Sequence, residues 1–175
     1  MATGINLTYN VNTAPIVPEK WQGQIISLIG RQYRFSTFEP LANGALEAGV
    51  FVTGSVDSLG VLNVSKPTTA GTKILGVTAL NFQRFLTWDS VLNCFNYADK
   101  DIVTLVQEGD IVMYAEVAVD IGDPVFLRHT SDTGLTRIGA LSKTSGTGKE
   151  AIPGAKFLEQ TSAAGLVRVS LPDLI

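Results

Sequence analysis

From Gln24 onward the chain alternates short apolar segments with Gly, Asn, Asp, Ser and Pro. "QIISLIG", "RQYRFSTF", "ALEAGVFVTG", "GVLNVS", "KILGVTAL", "DIVTLVQEG", "DIVMYAEVAV", "PVFLRH", "AKFLEQ" and "GLVRVSLP" follow in that order, and most are rich in Val, Ile and Phe. Segments of this length between turn residues predict strands, and their regular spacing predicts an all-β fold, a single sandwich or barrel. In the clearest of them Ile111, Met113, Ala115, Val117 and Val119 share one face of a strand. Val112, Tyr114, Glu116 and Ala118 share the other, so the odd positions are expected to face the core. Gly109-Asp110 is read as the corner that opens this strand and Gly122-Asp123-Pro124 as the corner that closes it. A strand of that length holds its ends about 30 Å apart, which speaks against the two aspartates acting as paired catalytic carboxylates.

Two stretches break the pattern. Residues 1–22 are rich in Asn and Thr and contain Pro15 and Pro18, which predicts an extended arm ahead of a β-rich domain over 23–175. Ile5, Leu7, Tyr9 and Val11 alternate strictly within the arm, so one of its faces is expected to pack on its own domain or on a neighbouring chain. The other stretch, "NFQRFLTWDSVLNCFNYADK", holds Phe82, Phe85, Trp88, Phe95 and Tyr97, five of the 14 aromatic residues (8 Phe, 2 Trp, 4 Tyr). Helical periodicity and a hairpin turning at Trp88-Asp89-Ser90 fit it equally, and its rings either cap one end of the core or meet a partner.

Length and composition narrow the function. The 175 residues suit one domain with a substantial core. With 13 basic and 16 acidic side chains the net charge is −3, and no Lys/Arg cluster forms a phosphate-binding stripe, so direct nucleic-acid binding is not expected. No apolar run is long enough for a transmembrane helix and no signal-peptide pattern opens the chain, so no membrane partner is expected. Cys94 is the only cysteine, which leaves no intrachain disulfide and no zinc-type Cys pair.

The candidate chemistry is thin. His129 is the only histidine; a small hydrolase using it with Asp132 would have to draw its nucleophile from elsewhere, and G-x-S-x-G is absent. "SGTGKE" at 145–150 resembles a P-loop but has Lys143 where the motif needs Gly and Glu150 where it needs Ser or Thr. Residues 141–154 are read instead as a surface loop. Cys94 has aromatic neighbours and no adjacent Lys, Arg or His to lower its thiol pKa, which predicts a buried small hydrophobe. No catalytic, metal or cofactor site is expected.

One order of features points to a family. "PLANGALEAGVFVTGSVDSLGVLNVSKPTTAGTKILGVTAL", then "VQEGDIVMYAEVAVDIGDPVFLR", then "AKFLEQTSAAGLVRVSLP" resembles the structural cement or capsid decoration proteins of tailed bacteriophages. In these, two G-D-x-V strands and a closing A-x-F…G…V-x-V-x-L strand recur in this order. The resemblance runs from Pro40 to Pro172; the long aromatic stretch and the Asn-rich arm depart from it. It implies a jelly-roll-like domain, made in the host cytoplasm and located on the virion, that sits as a homotrimer on the outer capsid surface and stabilises contacts between major capsid subunits. Leu7, Tyr9, Trp21, Phe82, Phe85 and Trp88 are then the expected capsid or intersubunit contacts. The alternative is a carbohydrate-binding or host-attachment β-module on the virion, with Trp21 and Trp88 stacking on a sugar.

Overall fold

A computed structural model describes residues 20–25, 33–37, 39–80, 86–90, 92, 94–130 and 137–174. The described residues form strands and turns with no helix, as the short apolar runs predicted. Thirteen strands follow in order: β1 (Arg34–Phe35), β2 (Leu41–Ala42), β3 (Leu46–Glu47), β4 (Phe51–Val56), β5 (Leu62–Ser65), β6 (Ile74–Thr78) and β7 (Thr87–Asp89). They continue with β8 (Cys94–Tyr97), β9 (Leu105–Ala115), β10 (Pro124–Arg128), β11 (Leu141–Ser142), β12 (Lys149–Phe157) and β13 (Gly165–Leu171).

β9 organises the whole. Its first residues pair with β6, Val77 opposite Val106 and Thr78 opposite Leu105. From Gly109 to Ala115 it pairs instead with β13, Leu171 opposite Gly109 through Gly165 opposite Ala115. β13 continues to β12, β12 to β10 and β10 to β11, and β11 returns to β9 where Leu141 lies beside Ala115. That last pairing closes five strands into a ring, which removes the exposed edges an open sheet would have. Beyond the ring β6, β4, β5 and β2 extend the sheet, and β3, β8 and β7 form a small three-stranded sheet.

The buried side chains divide accordingly. Ile111, Met113, Leu127, Leu141, Phe157 and Val169 belong to the core inside the ring. A second core gathers Leu46, Val50, Val52, Val64, Tyr97 and Leu105. The expectation that Ile111, Met113 and Ala115 face a core therefore holds, although Val117 beyond the strand is exposed. The even face is not left to water. Val112 is fully buried, Tyr114 lies under the Arg137 guanidinium, and Glu116 is enclosed with Arg128 and Lys149.

Three sequence expectations need correction. Gly109-Asp110 does not open the strand but sits within β9, where the strand passes from β6 to β13. Gly109 is needed there: its φ is 127°, and a Cβ on it would come within 2.4 Å of the Tyr33 ring. Gly122-Asp123 is a corner as expected, with Gly122 at φ 86° and the Asp123 carboxylate accepting the Asp120 amide at 2.9 Å. Second, 141–154 is not one surface loop. Leu141 and Ser142 are wholly buried in β11, and β12 starts at Lys149, because Leu141 and Ile152 have core to fill.

The third concerns "NFQRFLTWDSVLNCFNYADK". Its described part is a hairpin, with Trp88 opposite Phe95 and Asp89 opposite Cys94. Asp89 belongs to the strand and the turn follows it, later than Trp88-Asp89-Ser90. Its carboxylate accepts the Leu92 amide at 3.0 Å and the Asn96 side chain at 3.4 Å, local bonding that favours a turn over a helix. Phe82, Phe85 and residues 1–19 of the arm, with Leu7 and Tyr9, lie outside the described residues.

A buried charge cluster makes the fold acid-sensitive. Glu116 accepts from Arg128 at 2.6 and 2.8 Å and pairs with Lys149 at 2.7 Å. Burial pushes its carboxyl up, but the bonds and charges of Arg128 and Lys149 outweigh this and hold it below its ordinary 4.5. Glu159 is shifted the same way, burial raising it and the Lys20 ammonium and Arg168 amide lowering it further. Depressed carboxyls add stability that is fully present above the ordinary carboxylate range and is lost as pH falls through the folded values. The melting temperature is therefore expected to hold from neutral pH to about 5 and to fall below it. Glu116→Gln should flatten that acid limb in a thermal-unfolding pH series.

Candidate functional site

The three-stranded sheet carries an aromatic cluster. Register places Trp88 of β7 directly opposite Phe95 of β8, and their ring centroids are 4.9 Å apart at 65°. Trp21 completes the group, 5.6 Å from Trp88 at 75° and 5.5 Å from Phe95 at 44°. Edge-on contacts of this kind contribute about 0.5–1.5 kcal/mol each beyond area burial. Trp88 nevertheless remains 41% exposed, whereas Trp21 and Phe95 are half-buried. A large ring is thus held in place by two others and offered to the outside.

The Trp21 segment is locked to the body by its backbone. Gly23 N–H donates to the Val112 carbonyl at 2.7 Å, Val112 N–H to the Gln24 carbonyl at 2.9 Å, and Leu80 N–H to the Gly23 carbonyl at 2.7 Å. Behind the rings lies a polar knot. Glu47 of β3 is 6% exposed and pairs with Lys66 at 2.5 Å and with Arg137 at 3.0 Å. Arg137 also reaches Gln22, Leu92 and Cys94.

The structure brings together two of the sequence-predicted contacts, Trp21 and Trp88. It adds Phe95, Gln22, Glu47 and Arg137. Phe95 had a signal in the sequence: placing the hairpin turn after Asp89 sets it opposite Trp88. Arg137 had none, since it meets the cluster only through the fold.

Other candidate chemistry finds structural employment. Lys149 of "SGTGKE" donates to Ser142 Oγ at 2.8 Å and pairs with Glu116, so its ammonium is committed inside the protein. Cys94 is buried as expected, but it has a cation beside it after all, Arg137 Nη2 at 3.5 Å from its sulfur. Burial pushes its thiol up and outweighs the pull of Arg137, so it is a poor thiolate nucleophile. His129 is buried with its amide bonded to the Gly148 carbonyl at 2.9 Å; Asp132 lies outside the described residues. Among the described residues no group of three or more His, Cys, Asp and Glu side chains is placed to hold a metal ion, and no helix is long and apolar enough to cross a membrane. What this face offers chemically is an indole, partly exposed and held by two other rings, a group suited to binding.

Comparison with known proteins agrees with an assembly role. A family profile described as "Structural cement protein (E217 gp24/Pam3 gp6)" matches residues 5–172. No curated protein matches the chain. A solved chain from the capsid of Myoviridae phage XM1 is 20% identical, with 97% of this chain and 100% of that one covered and a TM-score of 0.66, which shows a shared fold. The N base of the head fiber gp8.5 of bacteriophage phi29 is 11% identical over 80% of this chain and 96% of that one, and its TM-score of 0.48 is too low to argue from.

Proposed function

Since the chain belongs to the phage structural cement protein family, we propose that it binds the outer capsid surface and stabilises contacts between major capsid subunits. The observation that carries the contact site is Trp88, partly exposed yet fixed by Trp21 and Phe95. A rigid aromatic anchor loses little conformational entropy on docking, which is why such residues dominate interface energies.

The finer features form one proposal. The protein acts as a homotrimer of jelly-roll-like subunits on the virion, made in the host cytoplasm, and Leu7, Tyr9, Phe82 and Phe85 add contacts to the capsid or between subunits. Three linked copies of one modest contact bind far more tightly than one, because the second and third engagements occur at high effective concentration. A shell so bridged resists separation of its subunits. The carbohydrate-binding alternative is less well supported: a sugar platform needs a free ring face, and Trp21 and Trp88 turn toward each other and toward Phe95.

The test is co-sedimentation of the purified protein with phage heads that lack it. Trp88→Ala should remain folded, lose about 1–3 kcal/mol of stability with its two ring contacts, and weaken head binding about 30-fold or more, the size of a hot-spot loss. Undiminished binding by this variant would remove Trp88 from the contact.

A further inference from the structure

One guanidinium bonds next to Trp21, in the turn that follows β7, and next to Phe95. Arg137 Nη2 donates to Gln22 Oε1 at 3.1 Å, one residue from Trp21. Its Nη1 donates to the Leu92 carbonyl at 3.5 Å, in the turn between β7 and β8. Nη2 also lies 3.5 Å from Cys94 Sγ, one residue before Phe95. On the body side Nε and Nη2 reach Glu47 Oε2 at 3.3 and 3.0 Å, and the guanidinium carbon sits 5.3 Å from the Tyr114 ring centroid on β9.

The hairpin needs such a tie. β8 is tied to β3, but β7 is three residues long and forms the outer strand of that sheet, paired with β8 alone among the described residues. Ring contacts hold Trp21, Trp88 and Phe95 to one another but do not fix the group to the barrel. Arg137 joins the Trp21 segment, the hairpin turn, β3 and β9 at one point, and its side chain is only 13% exposed. We infer that Arg137 is the positioning residue that sets the mutual geometry of Trp21, Trp88 and Phe95, acting through Gln22, Leu92 and Cys94. A planar fork of five donors serves several acceptors at once and stacks on Tyr114, whereas a lysine ammonium offers a point charge. Its bearing on capsid binding rests on the function proposed above.

The experiment uses Arg137→Lys, which keeps a charge for Glu47 but loses the fork. The readout is the exciton couplet of the Trp21–Trp88 pair in far-ultraviolet circular dichroism, assigned by its loss in Trp88→Phe. Arg137→Lys is expected to fold, to lose half or more of the couplet, and to bind phage heads about tenfold more weakly, as for loss of a buried anchor's support. An unchanged couplet in folded Arg137→Lys overturns the inference, whatever happens to binding. A reduced couplet with full binding upholds the positioning role and sinks the reading of this face as the capsid contact. If Arg137→Lys does not fold, Gln22→Ala removes the Trp21-side bond to Arg137 together with the longer Gln22 Nε2 contact to the Gly49 carbonyl at 3.5 Å, and Gln22→Glu keeps an acceptor for Arg137 while losing that second contact. A couplet reduced in Gln22→Ala and retained in Gln22→Glu supports the inference, and one intact in Gln22→Ala overturns it.

Discussion

Gly49→Ala is expected to cost about 3 kcal/mol or more of folding stability, combining left-handed backbone strain with a steric clash. Gly49 has φ 72°, and a Cβ on it would come within 2.4 Å of the Gly23 amide nitrogen and 2.9 Å of the Val112 carbonyl oxygen. Gly23, at φ 79°, returns the contact, 2.7 Å from its own would-be Cβ to the Gly49 nitrogen. The obstructing atoms are backbone and cannot rotate aside. They also belong to the bonds that hold the Trp21 segment to β9, so the aromatic face should loosen with the fold. Gly44 is the control: its φ is 83° but nothing lies within 4 Å of a Cβ there, so Gly44→Ala should show the conformational strain alone, about 1 kcal/mol. Urea unfolding of the two variants separates the effects, and equal losses would contradict the close backbone contact.

Glu116→Ala should be as damaging for a different reason. It leaves Arg128, 5% exposed, and Lys149 without the carboxylate that both bond. Removing one partner of a buried ion pair in this way costs about 3–5 kcal/mol. The loss reflects a buried cation deprived of its carboxylate rather than the net worth of the pair, so Glu116→Leu combined with Arg128→Met should be less destabilising than the two single losses added together. Strict additivity in this double-mutant cycle would show that Glu116 and Arg128 do not act as a unit.

Both effects arise where the sequence was least readable. The alternation Ile111, Met113, Ala115 marked a core-facing strand because a period of two survives any tertiary arrangement. The turn chemistry of Gly122-Asp123 was equally local. Gly109-Asp110 looks the same in sequence yet lies inside a strand, because the change of partner from β6 to β13 is a long-range event. Leu141-Ser142 was hidden among Gly, Ser and Thr, since a two-residue strand leaves no period to detect. Of the aromatic site, Trp21 and Trp88 were identifiable as large rings in search of a partner. Their contact, and the roles of Glu47 and Arg137, depend on strands far apart in the chain that only the closed fold brings together. The ordered strand motifs pointed to the family because they combine many weak local signals that no single turn provides.

Capsid reinforcement itself is tested most directly on phage heads that lack this protein, by adding it back at saturation and measuring the temperature at which packaged DNA is released. The account predicts that the protein binds and raises the release temperature, and that Trp88→Ala at the same concentration restores little of the gain. Binding at saturation with no change in release temperature, or no binding at all, would contradict it.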